Sequence, residues 1–254
     1  MRRFRVIPVL MLHQGGLYKS EKFRNYKYVG DPINAVRIFN DKEVDELIIV
    51  DIDASREGRG PNMQLLSEIA GEAFMPMGYG GGLSNIEQVR QLVYEGYEKA
   101  IFNYSAIHNL PLVEKTAHLF GSSSTVVSID VGKNWLGNYK VYELNGKKSV
   151  STTVIELAKR VEAAGAGELM INSIDRDGTM GGYDIDLIKQ VSSAVKIPVI
   201  ANGGAGSTKD FGKAIKEGGA SAVAAGSMFV FQMPHKAVLI TYPDGKSIDT
   251  ILAG

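Results

Sequence analysis

The chain has no cysteine. That excludes disulfides, thiol nucleophiles and cysteine-ligated zinc, and it fits a reducing cytoplasm. Histidine is scarce: His13, His108, His118 and His235 stand at spacings that make no ligand set, so neither a metal nor a cofactor is expected. Charge of one sign is not in surplus, with 28 basic and 28 acidic side chains. Nothing therefore points to nucleic acid or to a membrane surface as partner. No apolar run reaches the ~18 residues of a membrane-spanning helix, and Met1-Arg2-Arg3-Phe4-Arg5 leads into a strand rather than a signal peptide. Linkers and low-complexity segments are also missing, so 254 residues read as one domain. That is the size of a single (β/α)₈ unit, ~250 residues.

What is present is organised around Ile197–Phe231. Val199-Ile200-Ala201, apolar on both faces, reads as a buried parallel strand. Asn202-Gly203-Gly204-Ala205-Gly206 follows it and precedes a helical pattern from Lys209 to Lys216. Ala220–Ala225 is a second strand, leading into Gly226-Ser227-Met228-Phe229. Two strands thus end in small residues directly before helix starts. Small residues let backbone N–H groups approach a ligand, and a helix start favours an anion. One phosphate is expected at Gly203, Gly204, Gly226 and Ser227, the position after strands 7 and 8 of such a barrel. The competing reading makes these glycines tight turns only.

The same pattern occurs in residues 74–107 at an offset of 123 residues: Gly80 falls on Gly203, Gly81 on Gly204, Ser84 on Ser207 and Gly96 on Gly219. Leu47–Asp53 likewise resembles Met170–Asp177, with one residue inserted. The period is too long for a solenoid and close to half the chain. It predicts two half-barrels, approximately 1–122 and 123–254. A second phosphate site is then expected at Gly81 and Gly82 with Asn103 and Tyr104. A ligand with a phosphate at each end would span the mouth.

Along the chain, strands are expected at Arg5–Leu12, Glu46–Ile52, Phe74–Tyr79, Lys99–Asn103, Thr125–Val131, Glu168–Ser173, Val199–Ala201 and Ala220–Ala225. Helices separate them, the first opened by Asp31 as cap with Pro32 behind it. Alternation of this kind favours a closed α/β barrel. Residues 13–31 read as a long polar loop carrying Lys19, with the character of a lid. Tyr139–Tyr142 and Asn145-Gly146 suggest a small hairpin. Pro234–Ile240 and Ser247–Leu252 read as a final helix broken at Tyr242-Pro243.

Catalytic groups in such barrels sit where strands end. Here those positions hold Met11, Asp51 and Asp53, Asn103, Asp130, Asn172 and Ser173, with Asp175 and Asp177 just beyond. Asp130 closes the apolar strand Val126-Val127-Ser128-Ile129; desolvation there raises a carboxylate towards a useful acid–base range. Capping a neighbouring loop is its alternative role. Asp51 and Asp175 occupy similar places in the two halves and are suited to holding loops or substrate hydroxyls. Lys19, Asn172 and Asp177 complete the candidate substrate contacts, and Thr179, in the tight turn after Asp177, is within reach of a phosphate.

At IPVLMLHQGGLYK, GYGGG, SIDRDGT and ANGGAG the chain resembles the cyclase subunit of imidazole glycerol phosphate synthase over nearly its whole length. The resemblance implies a two-fold repeated (β/α)₈ barrel and a lyase of histidine biosynthesis. A glutaminase partner would send ammonia through the barrel to a bisphosphate at the far mouth. The family's strand-5 catalytic Asp matches Asp130, and its phosphate loops match Gly81-Gly82, Asn103, Gly203-Gly204 and Gly226-Ser227, with Tyr104 standing where the family has a threonine. Its barrel-floor gate matches Arg5, Glu46, Lys99 and Glu168, all at strand starts. Such a ring of charges needs internal pairing wherever it lies.

One departure matters most. The family's strand-1 catalytic Asp aligns with Met11, and the K-D-G that follows becomes His13-Gln14-Gly15. A thioether transfers no proton, and a general acid or base is worth about 10²–10⁴-fold. His13 stands in for it only if the strand stays regular that far. IPVLMLHQGGL and KYVGDPINAV resemble a side branch that accompanies a glutaminase and a separate amidotransferase in making acetamidino sugars for surface polysaccharide. Within it the expected role is passage of ammonia; an active cyclase is the alternative.

Overall fold

A computed structural model describes residues 4–243. Eight parallel strands form the barrel: β1 (Arg5–His13), β2 (Leu47–Asp51), β3 (Met77–Gly80), β4 (Lys99–Phe102), β5 (Thr125–Lys133), β6 (Glu168–Ser173), β7 (Val199–Asn202) and β8 (Ala222–Ala225). Each pairs with the next, and β8 returns to β1 with Arg5 against Ala222 and Pro8 against Ala225, which closes the ring. Helices cover the outside. Between them and the strands lies the larger core, with Phe39, Leu47, Tyr79 and Phe211 among its buried side chains. Helix entries are set locally. The Asp31 carboxylate accepts from Asn34 N at 2.9 Å with Pro32 in the first turn, and Thr153 forms a capping box with Glu156.

Strand alternation sorts the inward residues into layers. Arg5, Ile7, Val9 and Met11 of β1 descend one wall. Charged residues at the strand starts form the floor. Ile7, Ile48, Ile101, Val126, Met170 and Ile200 form a dry middle layer. Asn103, Asp130, Asn172 and Met11 reach the mouth. Six residues of strand at ~3.3 Å each, tilted by ~36°, separate floor from mouth by roughly 16 Å.

Three expectations are corrected. Residues 13–31 are not a loop. β1 continues to His13 and turns through Gln14 and Gly15, both at positive φ, into an antiparallel strand, Gly16–Glu21. That strand turns through Lys22 (φ 54°) and Phe23 (φ 59°) into Arg24–Gly30. Two-residue turns with both φ positive match strand twist but normally carry Asn-Gly, so Lys-Phe concealed this one. β3 begins at Met77 rather than Phe74, because Phe74 projects into solvent below the barrel, 91% exposed. Residues 234–240 are not helical. Phe231–Gln232 pairs with Ala237–Val238, and Leu239 N and Thr241 N extend the ladder to Val230 O and Phe229 O. Pro234 disfavours helix at the residue before it, and Lys236 lies at φ 48°, which a helix excludes. Ser247–Leu252 lies outside the described residues.

Candidate functional site

The mouth holds a recess of about 160 Å³. Met11 forms part of its wall at the end of β1, and so does Asp130 at the end of β5. Asp130 is gripped by two amides: Asn172 Nδ2 donates to Oδ1 at 3.1 Å and Asn103 Nδ2 to Oδ2 at 3.3 Å. Burial outweighs these bonds and pushes its carboxyl up to about 7, with the charge of nearby Asp177 acting in the same direction. A carboxyl poised at neutrality can both give and take a proton. Asn172 Oδ1 has no partner although it is buried; it faces Gly203, where a Cβ would sit 3.0 Å away.

The hairpin lies across this recess and is clasped there. Lys19, buried on the strand Gly16–Glu21, reaches down the axis so that its Nζ donates to the Val9 carbonyl. Burial brings that amine down to about 8, and Asp177 opposes the fall. Ser20 Oγ donates to Asp177 Oδ2 at 2.8 Å, and Lys22 N to Asp177 O at 2.9 Å. Burial raises the Asp177 carboxyl, offset in part by Ser20 and Lys19. With the hairpin folded in, the recess falls short of the ~300–1,000 Å³ typical of small-molecule sites.

The expected phosphate loops differ in access. Gly81, Gly82, Asn103 and Tyr104 line the recess on the first-half side, and Gly226 and Ser227 on the other. Gly203, Gly204 and Thr179 stand outside its wall. The turn after β6 packs over them: a Cβ on Gly204 would meet the Gly182 carbonyl at 2.3 Å, and Gly182 N already donates to Gly204 O at 2.8 Å. Close backbone packing is thus one reason for glycine there. Thr179 Oγ1 is engaged by its own turn, donating to Arg176 O at 2.7 Å. Asp51 lines the recess but is held by Arg59, whose Nη1 and Nη2 donate at 2.9 and 3.1 Å. Asp175 accepts from Lys133 N at 2.7 Å, a loop-holding contact.

His13 does not replace the missing carboxylate. Its Nδ1 lies 2.9 Å from both oxygens of Asp53, its ring packs between Tyr18 and Tyr26, and it is absent from the recess wall. Arg59, Phe23 and Tyr26 escaped the sequence reading, and Asn145 was read only as a turn residue of the small hairpin. Asn145 Nδ2 donates to Ile52 O at 2.9 Å and ties the β5 ribbon to the end of β2. The alternating Leu17, Lys19 and Tyr18, Ser20 within the supposed loop was the signal for the hairpin.

At the floor, Arg5 bonds Glu46 and Glu168 at 2.5 Å each, and Lys99 bonds the same two at 2.9 and 2.8 Å. Two cations and two anions alternate in a closed ring. Arg5 is held protonated by both carboxylates against the opposing effect of burial. Glu46 Oε1 is buried with no partner, the one loose end in the ring. Among the described residues no acidic or histidine cluster could hold a metal, and no helix is long and apolar enough to cross a membrane.

Comparison with known proteins agrees with this architecture. A family described as "Histidine biosynthesis protein" matches residues 5–234. A Pseudomonas aeruginosa protein provisionally named imidazole glycerol phosphate synthase subunit hisF2 is 49% identical over 98% of this chain and 99% of its own. A Vibrio vulnificus protein provisionally named subunit hisF3 is 43% identical over 96% and 94%. The imidazole glycerol phosphate synthase subunit HisF of Alkaliphilus metalliredigens is 40% identical over 89% of both chains. The chain belongs to the histidine biosynthesis protein family, in its HisF-like group.

Proposed function

We propose that this chain receives ammonia from a glutaminase docked on the floor and passes it through the barrel. The recipient would be a separate amidotransferase that amidinates a nucleotide sugar of surface polysaccharide. The carrying observation is Met11: the end of β1 presents a thioether to the recess wall where a second proton-transfer group would face Asp130. The nearest histidine is bound to Asp53 instead. The floor supports the same reading. A ring of four charges beneath a dry layer of Ile7, Ile48 and Ile101 suits a small neutral molecule that enters through an opened ion pair. The numbered names of two relatives fit additional copies beside a first HisF.

Phosphate cradles at Gly81-Gly82 and Gly226-Ser227, with Lys19, Asn172 and Asp177 between them, would hold a phosphorylated small molecule at the mouth. No cofactor enters this scheme.

An active cyclase is the second reading. It is favoured by Asp177, a second carboxyl beside Asp130 in the same recess. One experiment separates the two. The purified chain is given ammonium and the histidine-pathway ribotide, alone and as Met11→Asp. The conduit reading expects turnover by the parent no higher than the protein-free background and turnover by the variant at least about 10²-fold above it. Appreciable turnover by the parent moves the assignment to the cyclase.

A further inference from the structure

Leu17 and Lys19 stand on one face of the strand Gly16–Glu21, and both are buried. The strand runs back along β1, with Leu12 opposite Leu17 and Met11 opposite Tyr18, and so carries Lys19 towards Val9. A lysine this far from water is normally paired with a carboxylate. Arg5 and Lys99 at the floor obey this, each bound to Glu46 and Glu168. Lys19 does not. Its Nζ donates to the Val9 carbonyl, and among the described residues no carboxylate comes within 4.0 Å of it. Nor is it needed to fix the hairpin, because Ser20 Oγ and Lys22 N already fasten that to Asp177.

The surroundings of this amine are those of a reacting group. It lies against the Gly226-Ser227 loop, where a Cβ on Gly226 would collide with Nζ. Lys19, Asp130 and Asp177 all form part of the recess wall, so the amine shares one cavity with two carboxyls and an anion cradle. The recess of about 160 Å³ has room for on the order of ten water-sized groups, the size of a three-carbon phosphate. Burial also brings the amine down to about 8, so at pH 8 about half of it is neutral, on the order of 10²-fold more than for an exposed lysine near ~10.4.

The geometry points to Lys19 as a nucleophile that captures a small phosphorylated aldehyde or ketone as an imine, with the phosphate on the Gly226-Ser227 loop and Asp130 as the acid. This rests on the reading of the mouth as a phosphate-holding site and not on where ammonia goes. The nitrogen lone pair forms the C–N bond as the carbonyl π pair moves to oxygen, and a proton passes from nitrogen to that oxygen. Asp130 then protonates the hydroxyl, which leaves as water while the nitrogen pair closes C=N. An iminium and an aspartate carboxylate remain. Nothing is oxidised or reduced, and water reverses the sequence.

The test treats the whole chain with dihydroxyacetone phosphate and cyanoborohydride at pH 8, which fixes an iminium as a stable secondary amine. Peptide mass mapping reads the rate at each lysine. Lys19 should be modified at least about 10-fold faster than exposed Lys115, Lys159 and Lys189. Lys19→Arg, its fold checked by circular dichroism, keeps a cation and should lose the fast reaction. The selectivity is read within the parent chain and so does not depend on that variant. Dihydroxyacetone, which lacks the phosphate, should modify Lys19 about 10-fold more slowly. Glycerol 3-phosphate, which lacks the carbonyl, should bind by calorimetry and protect Lys19. Modification of Lys19 at the rate of the exposed lysines, with glycerol 3-phosphate bound, overturns the inference and leaves the phosphate reading standing. Equal rates for the two ketones at Lys19, with no binding of glycerol 3-phosphate, overturn the phosphate reading and the inference together.

Discussion

Replacing Asp130 by asparagine removes the carboxyl that burial holds near neutrality, and the consequence for stability has a definite sign. The folded state holds this proton up to about 7, whereas an unfolded aspartate releases it near ~3.9. A folded value above the unfolded one means that Asp130 favours the fold below about pH 4. That contribution is lost as pH rises through about 7. Three units correspond to ~4 kcal/mol. Asp130 keeps part of its surface towards the mouth, and water there screens the effect, so about 2 kcal/mol is the working figure. Asparagine has its own cost. Asn172 and Asn103 both donate to Asp130, so an amide at that position mismatches one of them, at about 1 kcal/mol. The variant should therefore be about 1 kcal/mol less stable than the parent near pH 4 and about 1 kcal/mol more stable at pH 8. Urea unfolding of both proteins at pH 4, 6 and 8 reads the difference directly, and titrations common to both cancel. A stability difference constant across that range would mean that Asp130 titrates as an ordinary carboxylate, and the argument for a poised acid–base group would fail.

Lys99→Met should cost about 3 kcal/mol, because Glu46 and Glu168 then share Arg5 alone; adding Glu46→Leu restores neutrality and should recover at least ~1 kcal/mol in a denaturant double-mutant cycle. Gly204→Ala should cost more than about 2 kcal/mol, since φ is 111° and the new Cβ meets the Gly182 carbonyl at 2.3 Å. Gly96→Ala, at φ 100° with open space around it, should lose only ~1 kcal/mol in the same thermal-unfolding assay. Ser20→Ala removes the 2.8 Å bond to Asp177, and the amide of Lys22, which donates to Asp177 O, should exchange about 5- to 10-fold faster by mass spectrometry.

The barrel was legible because its signals are local and repeated. Apolar runs such as Val126–Ile129 and Leu47–Val50, each bounded by turn residues, are strands that only a doubly covered sheet can bury. The 123-residue offset placed both glycine loops at strand ends. The charged floor was legible through the family resemblance, which matched Arg5, Glu46, Lys99 and Glu168, and all four do lie at or just before strand starts. What escaped was set by tertiary contact. Lys22-Phe23 carries none of the usual turn chemistry, so the hairpin over the mouth left only the short alternation at Leu17–Ser20 as a local sign, and its clasp by Ser20 and Asp177 is tertiary. The repeat does not carry equal access. It equates Gly81 with Gly204, and both are closely packed by a neighbouring loop, yet only Gly81 lines the recess. Asp51 read as a loop-holding group and it does hold its loop, accepting from Asp53 N and Ala54 N, but Arg59, eight residues on, gave no sign of folding back onto it.

The two ends of the barrel bear differently on what it can do. Stability alone does not call for the floor ring. Well-packed apolar side chains of similar volume are often as stable as a buried ion network or more so, and β1–β8 already supply such a filling one layer above. Charges that must be kept paired therefore imply a use for their parting, and a small neutral molecule needs only one ion pair to open. At the mouth, by contrast, the end of β1 presents Met11, and the neighbouring histidine is tied to Asp53. Asp130 with its two amides and the open cradle at Gly81-Gly82 remain. On the proposed reading, the charged floor, the Gly81-Gly82 loop and a lone Asp130 opposite Met11 suit delivery of ammonia beside a bound phosphate better than ring closure. Restoring the carboxylate at position 11 is the most direct way to ask whether the other half still works.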